Sequence, residues 1–277
     1  MKSLFLFITS IALIGCAPPQ AKSSTDGNQL GPIATQFNSN GNQLIHAAMT
    51  DTAGFERLTE MCDTFGPRFS GSENLEKSID WILEEMKADG LENVHGEDVM
   101  VPKWVRGNES AQMVAPYQKK LAMLGLGGSI ATPTNGITAD VMLVSSYDDL
   151  EARTSEAKGK IVLFNVPFTN YGQTVQYRSG GAIAAAKAGA IASLIRSVGP
   201  FSMNTPHTGN SRYEEGVKKI PHAAITVEDA AMIARMDERG DKVTIQLNRE
   251  ARTEPDALSR NVVAEIKGVN SPMKSSF

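Results

Sequence analysis

Gly159-Lys160-Ile161-Val162-Leu163-Phe164-Asn165 opens the stretch whose reading decides the fold. After a polar break it continues as Gly180-Gly181-Ala182-Ile183-Ala184-Ala185-Ala186-Lys187-Ala188-Gly189-Ala190. It closes on Ile191-Ala192-Ser193-Leu194-Ile195-Arg196. The first block is short, apolar and bounded by Gly and Asn, which predicts a buried strand. The middle block is nearly all Ala and Gly. Ala favours helix, and small side chains let a helix lie close on a sheet. Gly189 suits a helix stop, and the last block is again apolar. Strand, small-residue helix and strand make a right-handed parallel crossover.

Outward from this unit, short β-rich runs recur at 110–115, 120–124, 139–145, 220–226, 242–247 and 261–266. A helix is expected after Thr226, with Ala230, Ile233, Ala234 and Met236 on its inner face. Upstream, Phe55, Leu58, Met61, Cys62 and Phe65 line one helical face, which places the Cys62 thiol in a core. Leu75, Ile79, Ile82, Leu83 and Met86 line a second helix. Ser70 and Glu73 have capping-box spacing at its start. Residues 94–101 alternate as a half-exposed strand that Pro102 should end, and residues 249–259 read as a polar linker. The fold class expected is α/β (α+β).

With 41% hydrophobic residues, the 277-residue chain can bury one large core or two modest ones. Its net charge of −4, with acids and bases interspersed, argues against a nucleic-acid partner. Lys2 followed by the apolar run 4–14 has signal-peptide form and is shorter than the roughly 20 residues a spanning helix needs. Leu13-Ile14-Gly15-Cys16 resembles a bacterial lipobox, in which Cys16 is acylated and becomes the mature amino terminus. Ala17 carries no acid, which leans the expected location toward the outer membrane or periplasm. Residues 16–42, rich in Pro, Gln, Ser, Asn and Gly, read as a flexible tether. Cys62 then has no disulfide partner.

No constellation of catalytic residues stands complete. Gly125-Leu126-Gly127-Gly128-Ser129-Ile130 lacks the third glycine of a dinucleotide fingerprint, and Pro133 and Gly136 follow where a helix should open. Lys187 lies too far from Gly180-Gly181 for a phosphate loop, and no G-x-S-x-G elbow occurs. His46, His95, His207 and His222 share no metal-ligand spacing. His207, in a Gly- and Pro-bounded loop with Thr208 and Tyr213, is the candidate for substrate contact. The competing reading of His207 is an ordinary loop histidine.

Several blocks together resemble carboxypeptidase Q-type enzymes. They are Phe65-Gly66-Pro67-Arg68-Phe69-Ser70-Gly71-Ser72 with Asn74-Leu75-Glu76-Lys77, Val175-Gln176-Tyr177-Arg178, Ala192-Ser193-Leu194-Ile195-Arg196-Ser197-Val198, Pro206-His207-Thr208-Gly209 and Ile225-Thr226-Val227-Glu228-Asp229-Ala230. The resemblance runs from about residue 45 to 268. It implies a zinc exopeptidase of α/β fold, with two zinc ions, a small-peptide substrate and an inserted protease-associated (PA) domain. The implied organisation is a signal peptide at 1–15, a tether at 16–42, the start of the peptidase domain at 43–111, the PA domain at 112–250, and a linker with one further catalytic-domain strand at 251–277. In the family a His-x-Asp ligand motif and the remaining ligands follow a strand like 261–266. Phe277 comes before any of them, so no metal ligand or catalytic residue is assigned here, and no zinc is expected on this chain alone. The other expected partners are the membrane, through the lipid, and a second copy of the chain. The competing function is a tethered, non-catalytic module that binds peptides or a protein partner. If Cys16 carries the anchor, Cys16→Ser releases the protein from the membrane fraction; unchanged fractionation rules the anchor out.

Overall fold

The computed structural model describes residues 31–268, so the leader, Cys16 and residues 269–277 lie outside the described residues. The chain divides into two compact units at Leu58/Thr59. The first holds α1 (Pro32–Thr50) and the opening of α2 (Ala53–Phe65). Of the expected tether over 16–42, residues 32–42 are helical, and residues 16–30 lie outside the described residues. Proline fits the first helical turn, where its missing N–H costs nothing. No residue of α1 or α2 is buried, so apolar side chains such as Ile33, Leu44, Met49 and Phe55 are exposed, and Cys62 is exposed rather than enclosed.

In the second unit come α3 (Glu73–Ala88), β1 (Glu92–Val105), β2 (Glu109–Ala115), β3 (Lys119–Leu121), β4 (Met123–Gly125), β5 (Ile137–Val144), α4 (Tyr147–Ala152), α5 (Thr154–Ala157), β6 (Ile161–Phe164) and α6 (Tyr171–Lys187). They are followed by β7 (Ala192–Arg196), β8 (His222–Ile225), α7 (Val227–Glu238), β9 (Thr244–Arg249) and β10 (Arg252–Glu265). The α/β class is as the sequence predicts.

β1 and β10 form an antiparallel ribbon, with Glu97 opposite Asn261 and Met100 opposite Leu258, and α3 lies against it. Three expectations change here. β1 passes Pro102 and runs to Val105, with a register shift between Val101 and Lys103 absorbing the proline. The polar segment 249–259 belongs mostly to β10; most of its side chains are not buried, so its composition carries little strand signal. The helix cap is Ser72, whose Oγ accepts from Leu75 N–H at 3.2 Å, and not Ser70.

The other eight strands form one sheet in the order β3-β2-β9-β5-β6-β7-β8-β4. β5 to β8 are mutually parallel, and the strands flanking them are antiparallel. All four β6 residues are buried, because the sheet is covered on both faces. Ile161 and Leu163 join the cluster that holds Ile233 and Met236 of α7; Val162 and Phe164 join the one that holds Ala182 and Ala185 of α6. Each such side chain contributes roughly 1.5–3 kcal/mol on burial. α6 begins at Tyr171, about two and a half turns before the small-residue block that announces it, with Asn170 as its cap. A Cβ on Gly181 would stand 3.1 Å from the Phe164 ring and 3.3 Å from the His222 ring, which is why this face of α6 is made of small residues. The run 120–124 is two strands rather than one. They part at Ala122, whose N–H is taken by Asp229 Oδ2 at 3.1 Å.

An enclosed charge joins the strands near the ribbon. β9 buries Ile245, Leu247 and Arg249 in alternation, so Arg249 occupies an inward position of the strand and not the linker. Its side chain is 0% exposed, and Glu109, 8% exposed, stands 3.4 Å from its Nε. Arg249 Nη1 donates to Ser129 Oγ at 2.7 Å and to the His222 carbonyl at 2.8 Å. Glu109 accepts from Gly125 N–H at 2.9 Å and from Arg106 at 3.1 Å. Arg106 also donates to the Gly125 carbonyl and lies over the rings of Phe69 and Trp104 at 5.3 and 5.2 Å. Trp104 Nε1 donates to the Ser129 carbonyl at 2.9 Å. Any Cβ on Gly125 would overlap Arg249 Nη2 at 1.8 Å, so the position requires glycine. Removing one partner of a buried ion pair costs about 3–5 kcal/mol, because the other charge is stranded. Glu109→Gln is therefore expected to lower the unfolding free energy by about that amount in urea titration, whereas Glu156→Gln, in an exposed pair with Arg153, should change it by less than about 1 kcal/mol.

Candidate functional site

In a parallel sheet, ligands collect at the carboxyl ends of the strands, where helices begin. Here that edge is formed by the ends of β5, β6, β7 and β8. The caps Ser146, Asn170 and Thr226 each accept from a backbone N–H three residues on, at 3.0, 2.9 and 3.1 Å. Four separated sequence blocks meet here: the second turn of α6, the end of β7, the loop 206–209, and the turn from β8 into α7.

Arg178, on α6, is the centre of this edge. Its Nη2 donates to Tyr171 Oη at 2.8 Å, and its Nη1 donates to the Thr208 carbonyl at 3.1 Å. Nη1 also faces His207 Nδ1 at 3.4 Å. The guanidinium lies 5.5 Å from the Tyr171 ring centre, within cation–π range, and the His207 ring meets Tyr171 edge-on at 6.1 Å. A Cβ on Gly209 would come within 2.5 Å of Arg178 Cζ, so Gly209 lets the loop close over the arginine. His207 N–H donates to Ser197 Oγ at 3.0 Å, which ties the loop to the end of β7. Partial burial and the nearby Arg178 cation hold the His207 pKa below the usual histidine value.

The loop 197–209 is pinned from a second side. Ser202 Oγ receives Val227 N–H at 2.9 Å and meets Glu228, and Met203 N–H donates to Glu228 Oε1 at 3.1 Å. Glu228 has its pKa lowered first by the Ser202 hydroxyl and then by backbone N–H groups. Met203 and Asn204 have φ of 45° and 59°, a conformation non-glycine residues seldom hold. Arg196 Nη1 reaches Asn165 Oδ1 at 3.4 Å, from one strand end to the next.

Tyr213 stands apart from His207's contacts. Its hydroxyl donates to the Ile220 carbonyl at 2.7 Å and accepts from Ile130 N–H at 3.3 Å, beside Ser129 Oγ at 3.3 Å. The phenol is engaged inside the protein, with its ring against the core. Residue pattern alone marks neither Arg178 nor Tyr171 as a site residue. The available signal was the Val175-Gln176-Tyr177-Arg178 block, whose arginine is one helical turn after Thr174, a buried position on α6.

The histidines do not suit the zinc pair that the family resemblance implies. His222 is wholly enclosed, with Nδ1 3.2 Å from the Ser193 carbonyl and Nε2 3.1 Å from the Arg178 carbonyl. His207 offers its Nδ1 to a cation already in place. His95 is partly exposed, with Nδ1 2.6 Å from the Asn93 carbonyl and Nε2 3.7 Å from Glu97. Among the described residues, no three His, Cys, Asp or Glu side chains are grouped to hold a metal ion.

The comparisons with known proteins agree with this architecture. The fold is that of the M28 peptidases: the crystal structure of a peptidase M28 precursor from Shewanella amazonensis matches with a TM-score of 0.78 and 35% identity, over 84% of this chain and 55% of that one. A zinc aminopeptidase from Bacillus subtilis shares the fold with a TM-score of 0.56 at 21% identity, over 78% of this chain and 47% of that one. No family model matches the chain. The particular relatives are narrower than the class, and the chain belongs to the carboxypeptidase Q family. It is 48% identical to carboxypeptidase Q of Mus musculus over 98% of this chain and 59% of that protein. Against the Homo sapiens protein, identity is 56% over 79% of this chain and 46% of that protein. The chain thus spans about half the length of the curated relatives it matches.

His222 sets a pH dependence. Burial, opposed by the two carbonyls, lowers its pKa to about 4 from an ordinary 6.5. The unfolded chain therefore takes up the proton first as pH falls. His222's contribution to stability is complete above about pH 6.5 and is lost on the way down to pH 4, a change of about 3 kcal/mol. Urea unfolding across that window is expected to show this slope. His222→Gln should remove most of it, and His207→Gln a smaller part, since His207 is shifted in the same direction.

Proposed function

We propose that this chain is the amino-terminal part of an exported, zinc-dependent exopeptidase acting on small peptides. The observation that carries the reading is 48% identity to a carboxypeptidase Q across 98% of the chain. On this reading, β1, β10 and the helices before them belong to the peptidase domain. Residues 112–250 form a PA-type domain that shapes access to the cleft. The ribbon gives this division physical sense. It carries the chain out along β1 and back along β10, paired from Glu92↔Glu265 to Val105↔Arg252. An inserted domain needs its two connections side by side in this way, and Trp104 and Arg106 brace the junction.

The hydrolytic centre of such an enzyme uses zinc to acidify a bound water and polarise the scissile carbonyl. The residues described here do not assemble that centre, so these 277 residues alone are expected to be inactive. Export and lipid anchoring at Cys16 belong to the same proposal. Among the described residues, no helix is long and apolar enough to cross a membrane. The test is metal analysis of the purified chain, with a dipeptidase assay in added zinc. Substoichiometric zinc and no hydrolysis are expected. About two tightly held zinc ions per chain, or turnover above the buffer rate, overturns the reading.

A further inference from the structure

Tyr171, Arg178 and His207 meet with spare protons directed away from one another. His207 Nδ1 faces the Arg178 guanidinium at 3.4 Å, and a guanidinium cannot accept, so Nδ1 accepts and the ring proton sits on Nε2. Tyr171 Oη accepts from Arg178 Nη2, which leaves its own proton to donate outward. Arg178 has only neutral partners: a phenol, a carbonyl and an imidazole. Among the described residues no carboxylate lies within ion-pair distance of it, and its buried Nε has no hydrogen-bond partner. Tyr171 and His207 are both exposed, so the free donors are open to solvent. A guanidinium without a counter-charge, an imidazole N–H and a phenol O–H converge on one need, an anionic oxygen acceptor.

The loop that carries His207 also holds two exposed apolar side chains. Phe201 and Met203 are 66% and 79% exposed, on a loop that Ser197, Ser202 and Glu228 hold fixed. Holding Met203 at a left-handed φ while it presents an apolar side chain to water costs energy twice.

We propose that Tyr171, Arg178 and His207 form a carboxylate site that takes a peptide carboxylate. The choice of a peptide rests on the peptidase reading; the anion chemistry does not. Arg178 supplies charge and a directed N–H, while His207 Nε2–H and the Tyr171 O–H fix the carboxylate oxygens. The carboxylate has two sources, a free carboxyl terminus or an acidic side chain.

The test is calorimetric titration of the purified full chain, without added zinc, with N-acetyl-dileucine, its carboxyl amide, N-acetyl-glutamyl-leucine amide and inorganic phosphate. Saturable binding of the free acid is expected, with at least about tenfold weakening in Arg178→Gln and a measurable loss in Tyr171→Phe. If the glutamyl amide binds in place of the free acid and shows the same dependence on Arg178, the site stands with a side-chain carboxylate as its source. Equal binding of acid and amide overturns the proposal, as does wild-type affinity in both variants. Phosphate binding as tightly as either carboxylate peptide overturns the peptide assignment. Arg178→Gln also frees the Thr208 carbonyl and loosens the loop; Tyr171→Phe removes one hydroxyl and its bond from Arg178 Nη2 but leaves Arg178 on the Thr208 carbonyl, which keeps the test decisive. Since no turnover is measured, failure here leaves the peptidase reading standing, and a zinc-binding chain would leave this site standing.

Discussion

Arg249 is a full positive charge with no exposure to water, and much of the second unit is arranged around making that tolerable. Transfer of an ion to the protein interior costs several kcal/mol even after relaxation. The structure offsets this with one carboxylate, one hydroxyl and one carbonyl. Each comes from a different part of the chain: Glu109 opens β2, Ser129 lies in the turn after β4, and His222 opens β8. Glycine at 125 is required because the guanidinium occupies the space a side chain would fill. The pair is imperfect, since its 3.4 Å approach does not amount to a hydrogen bond and Arg249 Nε and Nη2 lack partners. A charged group kept in this condition specifies register more than it adds stability.

The same network joins the two sheets. Glu109 passes the constraint to Arg106, and Arg106 lies over Phe69 and Trp104. Phe69 belongs to the turn before α3, and Trp104 to the end of β1. The eight-stranded sheet and the ribbon are thus coupled through an aromatic–cation stack and one buried ion pair, rather than through the short connecting backbone alone. His222 belongs to this structure too: its carbonyl receives Arg249, and its ring is sealed beneath α6. His222, which has no metal-ligand spacing in the sequence, is a core residue that burial keeps neutral.

The opposite edge follows different rules. There the parallel strands end, the helices begin, and polar groups stay close to water. Tyr171 and Arg178 share α6, but His207, 29 residues after Arg178, reaches them only through the crossover into β7 and the return of the loop to Ser197. Gly209 is the permissive residue, because its backbone lies where a side chain would strike the guanidinium.

The sequence by itself determined the crossover from β6 through α6 to β7, the paired helical faces of α3 and α7, and the mixed α/β class. Each is a matter of local period: four consecutive apolar residues for a strand covered on both faces, or apolar residues three and four apart for one helical face. The family, too, was legible in ordered blocks of residues. The helix before residue 43 and the strand before residue 261 are not legible, because those parts bury too little of themselves to leave a hydrophobic period; only the run 261–266 announces β10. Cys62 was misplaced for a related reason: an amphipathic pattern shows which face would be buried, but not that anything covers it. Tertiary structure alone decided that Arg249 points inward, that the Tyr213 hydroxyl is engaged with Ile220, and that Arg178 stands without a counter-charge. These are contacts between distant segments, set by strand pairing and helix docking, and one chain's local pattern does not encode them.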